Sequence, residues 1–131
     1  MIRVLLIAGL LCTPMSMFAC GLEDAARVSS DDGFTLFYRL KSPPLLTASH
    51  FSMQFRICRG DTGISVERFM LDASMPAHGH GTNYRPSAEA VGPGAWRVRG
   101  MLLHMPGEWE LRFAVRDAGV TTRLAAPHTV R

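Results

Sequence analysis

The chain has 131 residues, of which 47% are hydrophobic and 19% charged, and its formal net charge is +3 at pH 7. This length is that of a single domain, and so small a positive charge, carried by scattered arginines with Lys41 as the one lysine, does not indicate a nucleic-acid-binding face. No serine stands in a Gly-x-Ser-x-Gly turn, and no Gly-rich phosphate loop follows a strand. The sequence therefore predicts a protein that is not an enzyme and has no small-molecule substrate.

The first 19 residues have the pattern of an export signal. Arg3 supplies a short positive region, residues 4–12 form an apolar core, and residues 14–19 contain a proline followed by small residues. The apolar core is too short to cross a bilayer as a permanent helix. We therefore expect a signal peptide at 1–19 and a mature domain at 20–131, located in the periplasm or secreted.

Cys20 has two alternative roles. Met17-Phe18-Ala19-Cys20 resembles a degenerate lipobox, in which the cysteine would be acylated and would anchor a lipoprotein to a membrane. Alternatively, Cys20 pairs with Cys58, because an oxidising compartment favours disulfides and the mature chain then holds an even number of thiols. The sequence leaves both open, and a membrane is a partner only in the first case.

Short runs of alternating apolar and polar residues predict an all-β domain, since no stretch sustains a helical period. Their number and spacing are typical of an immunoglobulin-like sandwich of about seven antiparallel strands. The second strand has the cleanest alternation and places Cys58 at its end, on the polar face. A loop is expected at 73–86. The predicted strands are 34–40, 51–58, 64–72, 87–91, 95–105, the segment between the turns at 106–107 and 117–119, and 121–131.

The predicted strand 95–105 contains an irregularity at Gly100, beyond which strict alternation fails. A β-bulge at Gly100 would turn Met105 inward and His104 outward, whereas a regular strand would turn His104 inward with Trp96. In either case, His104 and Met105 cannot both face one site while they remain in a regular strand.

One cluster of soft metal ligands stands out. Met75, His78 and His80 lie within six residues, and His104 and Met105 follow at the end of the neighbouring strand. Imidazole and thioether are side chains that copper prefers, so the cluster predicts a copper site, with Cu(I) or Cu(II) favoured over zinc. Because the cluster has no cysteine, binding or transfer of copper fits better than electron transfer.

A structural role for the same residues is the alternative. Methionine fills gaps in cores more often than it binds metal, and Pro76 and Pro106 each follow a methionine whose strand they would terminate. In this alternative the chain is a structural or protein-interaction domain without metal. His50 and His128 stand alone, and we expect both to be exposed and incidental.

Two other patterns have plain structural interpretations. Trp109 falls on the inward face of an alternating strand, which predicts core packing over ligand stacking. Glu108 and Glu110 lie on the outward face of the same strand beside Arg112, which predicts a solvated, salt-paired surface and no carboxylate pair for catalysis.

The segments Met-Pro-Ala-His-Gly-His-Gly at 75–81 and Met-Pro-Gly-Glu-Trp at 105–109 resemble the YtkA-like (FixH-like) domain, with a match over residues 30–118. The resemblance implies a small exported β-sandwich associated with copper handling. The partner it implies is a copper-trafficking or oxidase-assembly protein. By position, it points to the residues Met75, His78, His80 and Met105, with His104 as a further candidate.

Overall fold

The computed structural model describes residues 20–41 and 43–131, so the predicted signal peptide at 1–19 lies outside the described residues. Within those ranges, no helix is both long and apolar enough to cross a membrane. The strands are β1 (Ala26–Ser29), β2 (Phe34–Leu40), β3 (Phe51–Arg59), β4 (Thr62–Gly63), β5 (Arg68–Met75), β6 (His80–Gly81), β7 (Ser87–Gly92), β8 (Ala95–Met101), β9 (Gly107–Asp117) and β10 (Val120–Val130).

The strands form two antiparallel sheets that pack as a sandwich. One sheet has the order β1-β2-β3-β8-β7 with β4 beside β3, and the other has the order β10-β9-β5-β6. Without the short strands β1, β4 and β6, four strands (β2-β3-β8-β7) face three (β10-β9-β5), which is the division of strands found in a constant-type immunoglobulin domain. The predicted all-β, immunoglobulin-like sandwich of about seven long strands is confirmed.

The core lies between the sheets and follows from alternation along the strands. β2 has the predicted bounds, and its alternate residues Phe34, Leu36 and Tyr38 are buried. β9 contributes Trp109, of which 1% is exposed, and Phe113, whose ring lies 5.2 Å from that of Tyr38. The predicted core position of Trp109 is confirmed.

Three predicted strand boundaries are wrong by three or four residues, and at two of them the chain crosses between the sheets. The third long strand begins at Arg68 and not at residue 64, since the Ile64 N–H still bonds to the Ile57 carbonyl in the first sheet (3.0 Å). That strand runs on to Met75, so the loop begins three residues later than predicted. β8 ends at Met101 and not at residue 105, because residues 102–106 carry the chain to the second sheet.

Of the two alternatives considered at Gly100, the structure has the β-bulge. Phe51 pairs with Met101 but Met53 pairs with Val98, so the β8 strand has one residue more than its neighbour over this interval. Gly100 has φ +81°, a conformation that residues with a Cβ rarely adopt. His104 is exposed, as the bulge predicts. The argument that strand alternation separates His104 from Met105 does not apply, because neither residue is in a strand.

Cys20 and Cys58 form a disulfide, with their Cα atoms 5.9 Å apart. Cys58 follows Ile57 in β3 and therefore lies on the face of the sheet opposite the core, as predicted. It is nevertheless fully buried, because the N-terminal segment covers it. The Cys20 N–H donates to the Asp61 carbonyl (2.9 Å) and fixes that segment. Of the two roles considered for Cys20, the structure contains the disulfide.

The two ends of the sandwich differ in composition. Arg59, the last residue of β3, forms an ion pair with Asp117, the last residue of β9 (3.8 Å), and the disulfide lies at this end. Since neighbouring strands are antiparallel, the last residue of β5 and the first residue of β9 lie at the opposite end. We call this opposite end, made of residues 75–81 and 102–107, the His/Met end. It contains all five residues of the predicted copper cluster.

Candidate metal centre

The His loop is a tight hairpin extension of β5. Pro76 begins a single 3-10 turn that ends at His78, and Gly79 reverses the chain with φ 63°. The Gly79 N–H donates to the Pro76 carbonyl (3.4 Å). His80 then pairs directly with Met75, so the chain returns alongside the strand it left. The proline and the glycine thus hold both histidines at the rim of the sandwich.

The structure brings the imidazoles of His78 and His80 together. Their ring centroids are 6.0 Å apart with an interplanar angle of 14°, and both residues are exposed. No hydrogen bond joins either imidazole to another residue of the described ranges, so their nitrogens face solvent. Because a metal–nitrogen bond is about 2 Å long, two imidazoles that share an ion have centroids at most about 6 Å apart. The observed spacing is at this limit.

Met75 lies directly opposite His80 in the pairing of β5 with β6. In an antiparallel ladder, directly opposite residues have side chains on the same face with Cβ atoms about 5 Å apart, and Met75 is directly opposite His80. Unlike the histidines, Met75 is only 3% exposed and belongs to the core. Its Cε contacts the second motif, since a Cβ built on Gly107 would lie 2.8 Å from it. Met75 therefore makes one of the contacts that join the two predicted motifs in space.

The second motif wraps around Trp109. The Trp109 Nε1–H donates to the Met105 carbonyl (2.9 Å), which fixes the turn before β9. The imidazole of His104 packs edge-on against the indole, with centroids 5.5 Å apart at 79°. His104 is exposed, whereas the side chain of Met105 is half-buried against the core. The two residues thus lie at different depths beside the same tryptophan.

The donor set at the His/Met end consists of imidazoles and thioethers. Among residues 20–41 and 43–131, no group of three or more His, Cys, Asp or Glu side chains is arranged to hold a metal ion. The two adjacent imidazoles are those of His78 and His80. At this end, a further protein ligand has to be a methionine sulfur or the imidazole of His104, which packs on Trp109. A mixed nitrogen and thioether set suits copper, above all Cu(I), better than it suits zinc.

The sequence prediction is wrong for His128. This residue is half-buried, and its Nε2 lies 3.1 Å from the Tyr38 hydroxyl. Burial lowers the pKa of His128 and raises that of Tyr38. The signal is available in the sequence, because His128 continues the inward positions Leu124 and Ala126 of β10. His50, in contrast, is exposed as predicted and packs edge-on near Tyr84 (6.1 Å).

The outward face of β9 is the salt-paired surface that the sequence predicts. Glu110 pairs with Arg112 (2.9 Å), and Glu108 accepts a hydrogen bond from the Thr129 hydroxyl (2.6 Å). Both carboxylates are therefore engaged in surface contacts.

Fold and site together define an immunoglobulin-like β-sandwich with histidines and methionines gathered at one end. Compared with known proteins, the chain matches no family model, no curated protein and no solved structure. The YtkA-like resemblance of the two motifs remains a prediction.

Proposed function

We propose that this protein binds copper at the His/Met end and holds it for delivery to another protein. The observation that carries the proposal is the pair of adjacent, exposed imidazoles of His78 and His80, with Met75 opposite His80 in the strand pairing. The exposed imidazole nitrogens are accessible to an incoming copper ion. Thioether sulfurs favour Cu(I) over Cu(II). A cluster made of imidazoles and thioethers, without a cysteine, favours reversible binding over a fixed redox centre.

The compartment and partner follow from the sequence. The export pattern at 1–19 indicates the periplasm or the cell exterior, where a Cys20–Cys58 disulfide is stable. The motif resemblance suggests a copper-trafficking or oxidase-assembly protein as the recipient. An exposed site at one end of a rigid sandwich is accessible to such a partner.

The test is a copper titration of the purified protein against a chromophoric Cu(I) chelator, with an ascorbate-free Cu(II) series in parallel. We expect about one equivalent of copper to bind, and we expect the double variant His78→Ala with His80→Ala to lose it. His50→Ala removes an exposed imidazole outside the cluster and serves as the matched control. Unchanged stoichiometry in the double variant would refute the proposal.

A structural or protein-interaction domain without metal is the second candidate. The observation that favours it is that Met75 packs in the core and the Met105 carbonyl anchors Trp109, so both residues already have a structural role. This candidate predicts no copper binding stronger than that of free histidine. It also predicts that the double histidine variant lowers the melting temperature and that copper does not alter the loss.

A further inference from the structure

Positive charge is concentrated on the outer face of the first sheet. On each of its long strands, the residues that alternate with the core residues face away from the second sheet. The basic residues on this face, on or just beyond the strands, are Arg27, Arg39, Lys41, Arg56, Arg97 and Arg99. Among the described strands of this sheet, the acidic residue on the same face is Glu89. The face is thus far more basic than the chain as a whole, whose formal net charge is +3.

A pocket of about 210 Å³ lies on this face, where β2, β3 and β8 run side by side. Its charged lining residues are Lys41, which directly follows β2, and Arg97 and Arg99 of β8. Ser52 and Gln54 of β3 lie between them, because the Lys41 N–H donates to the Ser52 carbonyl (3.0 Å) and Gln54 pairs with Arg97. None of the residues that line the pocket is acidic.

Gln54 is oriented so that its amide nitrogen is left to donate. Its Oε1 accepts hydrogen bonds from the Nε (3.0 Å) and Nη2 (2.8 Å) of Arg39, which lies opposite it on β2. Since Arg39 uses the amide oxygen, the two N–H groups of Nε2 remain, and they have no acceptor among the described residues. The Ser52 hydroxyl likewise has no hydrogen-bond partner in those ranges. The pocket therefore combines cations with neutral donors that an anion would satisfy.

The protein itself neutralises little of the charge around this pocket. Arg99 has one ion pair, with Glu89 at 3.8 Å, in which both side chains are more than half exposed. A pair so exposed stabilises by less than about 1 kcal/mol. Arg97 and Lys41 form no ion pair with any residue in the described part of the chain. The three cations therefore repel one another, and an anion bound among them would remove that repulsion.

We propose that this pocket binds a phosphate-type oxyanion, either free phosphate or the phosphate of a lipid headgroup. Lys41, Arg97 and Arg99 supply the positive charge, and Ser52 and Gln54 donate hydrogen bonds between them. A guanidinium presents a planar fork of N–H groups that matches two oxygens of a phosphate. The pocket volume is below the roughly 300 Å³ at which pockets for larger organic ligands begin, so it suits a small ion. The site is separate from the His/Met end and does not depend on copper.

The test is a calorimetric titration of the purified protein with inorganic phosphate at about 0.1 M ionic strength, where screening limits long-range attraction. One phosphate per chain is expected to bind. Arg97→Gln and Lys41→Gln should each weaken binding by on the order of tenfold. Gln54→Glu keeps an acceptor for Arg39 but places a negative charge in the pocket, so it should abolish binding. The matched control is Arg27→Gln, which removes a cation from the same face outside the pocket and should leave the affinity unchanged.

Vesicle co-sedimentation distinguishes the two sources of phosphate. If the ligand is a lipid headgroup, the protein should bind phosphatidylglycerol vesicles more tightly than phosphatidylcholine vesicles, and Arg97→Gln should release it. If the ligand is free phosphate, the calorimetric binding should occur without binding to either kind of vesicle. Thermal unfolding of each variant checks that it is folded.

Two results would overturn the proposal. One is the absence of both saturable phosphate binding and Arg97-dependent vesicle binding. The other is an equal loss of affinity in Arg27→Gln and Arg97→Gln, which would show a diffuse attraction to the whole face and no defined site.

Discussion

The terminal methyl of Met75 occupies the space in which a side chain on residue 107 would begin. A Cβ on Gly107 would lie 2.8 Å from the Met75 Cε, and Gly107 has φ 122°, a conformation that residues with a Cβ rarely adopt. The glycine of the second motif is thus required by its backbone conformation, and a Cβ there would also displace the end of the Met75 side chain. This contact joins the two halves of the His/Met end next to the pairing of β5 with β9.

Gly107→Ala should therefore destabilise the protein for two separate reasons. Backbone strain and overpacking against Met75 together should lower the free energy of unfolding by about 2–4 kcal/mol. Gly100→Ala is the matched control, because Gly100 has φ +81° but a Cβ added there would meet no atom within 4 Å. It should cost about 1–2 kcal/mol from backbone strain alone. Urea denaturation measures both.

The packing part of this effect can be isolated with Met75→Ala. If the Met75 Cε is what a new Cβ meets, Gly107→Ala should cost less in the Met75→Ala background than in the unmodified protein. Equal costs in the two backgrounds would show that backbone strain accounts for the whole effect.

The methionines of the His/Met end should matter for Cu(I) more than for Cu(II). Met105→Leu preserves volume but removes a soft sulfur, so Cu(I) affinity should fall by on the order of tenfold while Cu(II) affinity changes little. Met70→Leu removes an exposed thioether far from this end and should affect neither ion. Competition titrations in both oxidation states provide the comparison, and equal losses for the two ions would argue against thioether coordination.

Reduction of the disulfide should weaken the fold without altering the site. Cys20 and Cys58 are 38 residues apart, and closing a loop of that length stabilises the folded state by up to about 4 kcal/mol through loop-closure entropy. Cys20→Ser should show a loss of this order in urea denaturation, with copper stoichiometry retained. Intact mass and thiol alkylation of the exported protein distinguish the disulfide, which leaves no free thiol at Cys58, from acylation of Cys20, which frees it.

Mild acid should destabilise the protein through His128. Burial lowers the pKa of His128 below 6.5, so the unfolded chain takes up this proton at a higher pH than the folded one. The contribution is fully present above about pH 6.5 and is lost as the pH falls through the lower, folded-state pKa. His128→Asn, which retains a polar group for the Tyr38 hydroxyl, should flatten the fall in melting temperature below about pH 6.5. His50→Asn should leave that fall unchanged.

The long strands are predictable because they depend on local alternation, and the break in alternation marks Gly100 as the position where a bulge is one of two alternatives. The bounds of β2 follow from its pattern alone. Residues 64–67 and 102–105 fall in predicted strands because a crossover between two sheets is partly buried and contains apolar residues of the kind found in strands. Local patterns do not reveal where a chain leaves a sheet.

At the site, the sequence predicts the adjacent pair His78 and His80 but not how deeply each candidate residue lies. Pro76 and Gly79 indicate a tight turn, and the adjacency of His78 and His80 follows from it. That Met75 is a core residue opposite His80 depends on pairing between β5 and β6 and on contact with Gly107, which are non-local. His128 is recognisable from its inward position in β10.

The disulfide and the histidine pair lie at opposite ends of the sandwich. A protein attached at one end therefore exposes the other. β9 spans the sandwich with 11 residues, which at about 3.3 Å per residue separates the ends by roughly 35 Å. The chain before Cys20 joins at the disulfide end, because the Cys20 N–H is bonded to the Asp61 carbonyl there. Any tether on that side would therefore present His78 and His80 outward, toward an incoming partner and away from the point of attachment.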